Sequence, residues 1–191
     1  MLPCSFLLID FECTCDKPMF AREDMEIIEI GAVIGLLDHT AFRLLDKRSF
    51  YVQPQIYPQL TAFCTELTGI RQQQTNAAPA LADVLLRFSQ WLEPYRPVAW
   101  GSWGKFDATQ LALECEQKAI ASPLAGMPHL NIRQLFARQH GQRPDLNTAL
   151  QLTGLTFAGR PHCGADDAFN TGRILHHDQS LRDAVSGCLA E

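Results

Sequence analysis

Ser5-Phe6-Leu7-Leu8-Ile9-Asp10-Phe11-Glu12 is a short apolar run that abruptly presents two acids. It predicts a strand that stays buried until it emerges at a site. Residues two apart on an extended strand project to one face, so the carboxylates of Asp10 and Glu12 aim at a common point. Two like charges so placed repel each other, and something positive must hold them. Hard oxygen donors at that spacing suit Mg²⁺ or Mn²⁺. A strand that merely surfaces into a polar loop would carry the same eight residues, so the rest of the chain has to decide.

Thr14 to Asp24 reads as a loop, and Glu26 to Leu37 as a long, mostly apolar second strand. After a turn at Asp38-His39-Thr40, a third strand of mixed polarity runs from Phe42 to Val52, and three such strands in succession predict an antiparallel meander. Glu29 lies inside the apolar run, where an unpaired carboxylate is costly. It either backs the acid site, binds a terminal hydroxyl, or faces solvent at an edge.

Leu60, Phe63, Cys64 and Leu67 then recur at helical spacing until Thr68-Gly69, and a second helix after Pro79 carries Leu81, Val84, Leu85, Phe88, Trp91 and Leu92 on one face. Pro97 to Gly101 predicts a fourth strand, parallel to the first because a helical crossover precedes it. Asp107 follows at the start of a helix running through Leu111, Leu113 and Cys115. In parallel α/β architecture neighbouring strand ends converge, which would carry Asp107 toward Asp10 and Glu12. A fifth strand is expected at His129 to Ile132, with helices at Gln134 to His140 and Asp145 to Leu152. His162-Cys163-Gly164-Ala165-Asp166-Asp167 leads into a helix through Ala168, Thr171, Ile174 and Leu175, fixing Asp167 on its first turn while leaving the His162 imidazole free to swing. A last helix is expected at Ser180 to Leu189. Trp100 and Trp103 read as packing residues, whereas Lys105 and Arg160 flank the acids and are either phosphate contacts or, as most such residues are, solvated charges.

The chain has 191 residues, 47% of them hydrophobic and 19% charged, which fits one α/β domain over 1–191 with its core at about 5–178. No apolar run approaches the ~20 residues of a membrane span and the start lacks the basic region of a secretory signal, so a cytoplasmic protein without membrane contact is expected. A monomer is expected over a dimer. Seven cysteines with no CxxC pair fit reduced thiols. Cys13, Cys15, Cys64 and Cys163 could assemble a zinc site, but the usual spacings are missing. The net charge of −5 argues against a protein that grips long duplexes. Two divalent cations held by four acids would bring that charge to about −1 and let the loaded protein accept a polyanion locally, at an end.

The order Asp-x-Glu, Asp, His-x4-Asp, at Asp10, Glu12, Asp107, His162 and Asp167, resembles the DEDDh branch of the 3′→5′ exonucleases. Three stretches look like the Eri subgroup, which acts on histone mRNA and small-RNA 3′ ends and includes bacterial single-domain relatives. They are Ile9 to Asp16, Phe63 to Ile70 and Gly159 to Asp167. The resemblance implies a ribonuclease H-like three-layer fold, with a mixed five-stranded sheet of order 3-2-1-4-5 between helices. It further implies that Asp10, Glu12, Asp107 and Asp167 hold two Mg²⁺ ions, for which Mn²⁺ can substitute. Glu12 and His162 would be the catalytic residues, His162 as general base. Phe63, Leu67 and Phe106 would hold the terminal base, and the backbone near Phe11 and Cys13 the terminal sugar. The expected activity is hydrolysis of single-stranded RNA, and of DNA as a further substrate, from the 3′ end to nucleoside 5′-monophosphates. An exonuclease confined to very short oligonucleotides and a noncatalytic binder of RNA 3′ ends are the competing readings. Phe106 departs slightly from the subgroup's usual aromatic before the third acid but keeps a stacking face.

Overall fold

The computed structural model describes residues 3–18 and 20–189. The expected strand at Ser5 to Glu12 is β1 (Cys4–Cys13), the centre of a five-stranded sheet. Its neighbours are β2 (Ile27–Leu37) and β3 (Phe42–Tyr51) on one side, β4 (Ala99–Ser102) and β5 (His129–Asn131) on the other. The order is β3-β2-β1-β4-β5. The first three strands form the antiparallel meander, while β1–β4 and β4–β5 are parallel, as the helical crossovers between them require.

Alternation along β1 sorts the two faces. Leu7, Ile9, Phe11 and Cys13 enter one core with α3 (Leu81–Leu92) and α4 (Phe106–Gln117). Phe6 and Leu8 enter the other, with α5 (Ile132–His140), α6 (Leu146–Leu152), α7 (Gly164–His177) and α8 (Gln179–Cys188). A smaller cluster on the first side gathers Cys64 and Phe63 of α1 (Ala62–Thr68) around Cys15, Ile28 and Ile70. Phe6, Leu7, Leu8 and Ile9 are all at most 1% exposed. Each such side chain contributes ~1.5–3 kcal/mol on burial, so the strand that carries the acids is firmly anchored in both cores.

Two short elements carry no apolar period and were not legible in the sequence: α2 (Gln72–Asn76) and a single 3₁₀ turn at Arg22–Asp24, inside the expected loop. Residue 19 of that loop lies outside the described residues, as do the terminal residues 1, 2, 190 and 191 of the expected domain. Among the described residues no helix is long and apolar enough to cross a membrane.

Candidate active site

Asp10 and Glu12 share the β1 face of Phe6 and Leu8, toward α7. Asp107 arrives on the first turn of α4, immediately after β4. Its Oδ1 accepts the backbone N–H of Phe11 at 2.9 Å, which ties this third acid to the residue between the first two.

The fourth acid depends on how α7 begins. Cys163 provides no side-chain cap; instead the carboxylate of Glu29 reaches across from β2 and accepts the Gly164 backbone N–H at 3.1 Å. A buried acid at a helix N-terminus is favoured by the dipole and by the unsatisfied N–H groups there. Glu29 also accepts from Ser49 Oγ at 2.6 Å, is 1% exposed and stands opposite Glu12 in the β1–β2 register. It therefore backs the acid site, and the solvent-facing edge position is ruled out.

His162 precedes the helix in an exposed loop, with φ at 59°, in the left-handed region that non-glycine residues seldom occupy. Its backbone N–H donates to Asp167 Oδ2 at 3.0 Å. Donor atoms of Glu12, His162 and Asp167 all lie within 4.8 Å of one another, the one group of three metal-ligating side chains among the described residues. The four cysteines of the zinc alternative form no such group. Cys64 Sγ donates instead to the Cys13 carbonyl, and a hydrogen bond from the Cys15 thiol lowers the Cys64 thiol to about 7.

No Lys or Arg forms an ion pair with Asp10, Glu12, Asp107 or Asp167 among the described residues. Their protonation reflects it. Burial, then the Asp107 carboxylate, holds Asp10 well above the ordinary carboxylate range. Burial and the neighbouring Asp167 push Glu12 up to about 9, and burial raises Asp167 to about 7. Asp107 is also raised, by burial, against the lowering effect of the Phe11 N–H. Packed acids without a protein cation are what a divalent ion would neutralise, so the residues fit the metal the sequence implied.

The residues expected at the base and sugar lie nearby. Phe63 and Leu67 are half-buried on α1, and Phe106 opens α4 with 38% of its surface exposed. The loop after β1 reaches both rings: Lys17 Nζ lies 4.6 Å from the Phe63 centroid and the Arg22 guanidinium 4.9 Å from that of Phe106. Neither cation was singled out in the sequence, because loop charges carry no periodic signal. The side chains of Phe11 and Cys13 point into the core, so only their backbone can face a ligand.

One sequence reading needs correction and another needs extending. Arg160 is committed to the protein, its guanidinium donating to the carbonyls of Glu66 at 2.9 Å and Leu67 at 3.4 Å. Trp103 packs on Phe136, ring centroids 5.6 Å apart, but it also lines the cavity shared by Asp10, Glu12, His162 and Asp167. Its place just past β4 is the signal that could have revealed it.

Comparison with known proteins bears on this arrangement. ERI1 exoribonuclease 2 of Danio rerio is 36% identical over 208 residues, covering 96% of this chain and 36% of that protein. ERI1 exoribonuclease 3 of Homo sapiens is 34% identical over 182 residues, 89% of this chain and 52% of the relative. The chain thus spans about a third to a half of the curated relatives it matches. Among solved structures, the nuclease domain of 3′hExo, a DEDDh family member bound to rAMP, superimposes with a TM-score of 0.82 at 29% identity, covering 98% of this chain and 95% of that one. A structure of 3′-end-specific recognition of the histone mRNA stem-loop by 3′-exonuclease gives a TM-score of 0.81, also at 29% identity, covering 98% and 66%. Residues 7–175 match the RNase T exonuclease profile, so the chain belongs to the RNase T exonuclease family, on its DEDDh branch, whose ribonuclease H-like fold goes with dependence on divalent metal.

Proposed function

We propose that the chain is a 3′→5′ exonuclease that hydrolyses single-stranded RNA, and DNA as a further substrate, from the 3′ end to nucleoside 5′-monophosphates. The observation that carries this reading is the meeting of β1, α4 and α7 at one acidic point. Asp107 bonds to the backbone between Asp10 and Glu12, and Glu12, His162 and Asp167 share one donor cluster.

In this reading Asp10, Glu12, Asp107 and Asp167 hold two Mg²⁺ ions, for which Mn²⁺ substitutes. Held there, such ions would supply charge neutralisation at the scissile phosphate and a more acidic water. His162, exposed and held at its backbone by Asp167, would take the proton from the attacking water, a task suited to a ring nitrogen free to accept. Glu12 acts with it at the attacking side. Phe63, Leu67 and Phe106 grip the terminal base, and the backbone of Phe11 and Cys13 borders the terminal sugar. Excluding water around a stacked base orients the 3′ end and leaves its phosphodiester at the acids.

A narrower substrate range, oligonucleotides of a few residues, is favoured by the net charge of −5. A length series of 5′-labelled RNA and DNA oligomers, with Mg²⁺, Mn²⁺ or a chelator, separates the readings. Stepwise 3′ shortening of all lengths in either ion, abolished by the chelator, is the expected result. Degradation of only the shortest oligomers establishes the narrow range, and binding without cleavage in both ions overturns the enzyme reading.

A further inference from the structure

Asp107 is fixed from β1 by the Phe11 N–H at its Oδ1, and a second group reaches it from β4. Burial raises its carboxyl, and the Phe11 N–H and the Ser102 hydroxyl both work against that rise. Ser102 is the last residue of β4 and is 1% exposed. Its Oγ lies 3.2 Å from the Gly104 carbonyl oxygen and 2.9 Å from Nε2 of His129, the first residue of the neighbouring β5. The His129 ring is braced in turn, its centroid 4.3 Å from that of buried Trp100. Neither Ser102 nor His129 is among the walls of the acid cavity.

Counting hydrogens assigns the roles in this cluster. A serine hydroxyl has one hydrogen to give and lone pairs with which to accept. The Gly104 carbonyl can only accept, and so can Asp107 once ionised, as a metal ligand must be. His129 is therefore the neighbour able to donate to Ser102 Oγ. Burial, then the Lys105 ammonium, holds its imidazole below the ordinary value, so the ring is neutral and carries one N–H. With that hydrogen on Nε2 every group in the cluster is served. On Nδ1 it would leave Nε2 competing with the acid for the serine hydrogen.

We propose that His129 and Ser102 are positioning residues for the third acid: His129 Nε2–H donates to Ser102 Oγ, and the serine hydrogen is thereby left for the turn that delivers Asp107. This rests on the exonuclease reading, which makes Asp107 a metal ligand. The turn transmits the effect because it is tight, with Gly104 at φ 137° and its N–H returned to the Ser102 carbonyl at 2.8 Å. Groups that orient a ligating carboxylate from behind typically cost 10- to 100-fold in metal affinity or activity when removed.

The test measures Mn²⁺ binding by isothermal titration, melting temperature under chelator, and kcat and KM on a 5′-labelled oligonucleotide, all on the full chain. His129→Phe keeps a ring against Trp100 and removes the N–H, whereas His129→Gln keeps an N–H near the Nε2 position and removes the ring. His129→Phe and Ser102→Ala should each weaken Mn²⁺ binding and lower kcat roughly 10- to 100-fold, with KM and melting temperature close to those of the parent. His129→Gln should regain most of both losses. The double variant should lose no more than Ser102→Ala alone, because the two side chains act through one chain of bonds. Unchanged Mn²⁺ affinity and kcat in His129→Phe, or a His129→Gln as impaired as His129→Phe, overturns the proposal and leaves the pair a staple between β4 and β5. Should Ser102→Ala fail to fold, the two His129 variants decide. Wild-type protein that binds Mn²⁺ but cleaves nothing overturns the exonuclease reading, and the titrations then still judge the positioning role. Wild-type protein that binds no Mn²⁺ overturns both.

Discussion

Gly31 of β2 and Gly164 at the head of α7 meet backbone against backbone: a Cβ placed on Gly31 would lie 1.8 Å from the Gly164 carbonyl carbon. A Cβ on Gly164 would in turn lie 2.6 Å from the Asp10 carbonyl oxygen. No flexible side chain stands at either contact to yield. Gly31→Ala must therefore lift the first turn of α7, taking Asp167 and the His162 loop with it. The expected loss is at least the ~1–3 kcal/mol typical of overpacking, seen as a lower melting temperature, with activity lost even in the folded fraction. A variant that melts and cleaves like the parent would mean that α7 does not sit on β2 in this way.

The acids make the metal-free protein sensitive to alkali. Glu12 at about 9 and Asp167 at about 7 both lie above the ordinary carboxylate range in the folded state, chiefly through burial. The folded chain thus keeps protons that the unfolded chain has released. Stability from these groups is full below ~pH 4 and is lost as the pH rises through the two folded values. Under chelator, the melting temperature should fall between about pH 5 and pH 9, and added Mn²⁺ should restore more of it at the alkaline end. Asp10→Asn should flatten this slope, keep the fold and abolish cleavage. A flat profile for the parent protein would show that its acids do not crowd one another.

His162→Ala tests the division of labour between imidazole and carboxylates. The side chain is exposed and only its backbone N–H is engaged by Asp167, so its removal should leave folding and metal affinity unchanged. Turnover should fall by ~10²–10⁴, the usual cost of a lost general base. Isothermal titration with Mn²⁺ reads the binding arm. If affinity collapses along with turnover, His162 is a ligand rather than a base.

The strands and the convergence of Asp10, Glu12 and Asp107 were legible because each rests on a local pattern, whereas the strand order and the fourth acid followed from the resemblance to the exonucleases. Alternation with abrupt acids marks β1, an apolar run marks β2, and a helix start directly after a strand marks Asp107. Glu29 was ambiguous because nothing local says what a buried carboxylate will find. Its partner, the Gly164 N–H, lies 135 residues away in the chain. Trp103 was read in part and Arg160 wrongly, for a related reason. A tryptophan after a strand packs whether or not it also lines a cavity, and an arginine beside acids looks solvated until the helix it clamps is in place. The Gly31–Gly164 contact is equally silent, since a glycine in a strand signals close approach without naming what approaches.

Arg160 supplies the last expectation. Its backbone N–H donates to Asp166 Oδ2 at 2.8 Å while its guanidinium reaches the Glu66 and Leu67 carbonyls, and a Cβ on Gly69 would strike that guanidinium. One side chain thus ties the loop that carries His162 to the C-terminal end of α1, the helix of Phe63 and Leu67. Arg160 is exposed, so its contribution to global stability should be small, on the order of 0.5–1.5 kcal/mol. Its effect on geometry should be larger, because an imidazole and a base platform that move independently no longer present the 3′ end to one point. Arg160→Ala should lower kcat/KM on oligonucleotides about tenfold or more with a melting temperature close to that of the parent. Arg160→Lys should rescue little, since an ammonium lacks the planar fork that spans two carbonyls. Full rescue by lysine would instead mean that the positive charge acts directly on the substrate, and that the bonds to α1 are incidental.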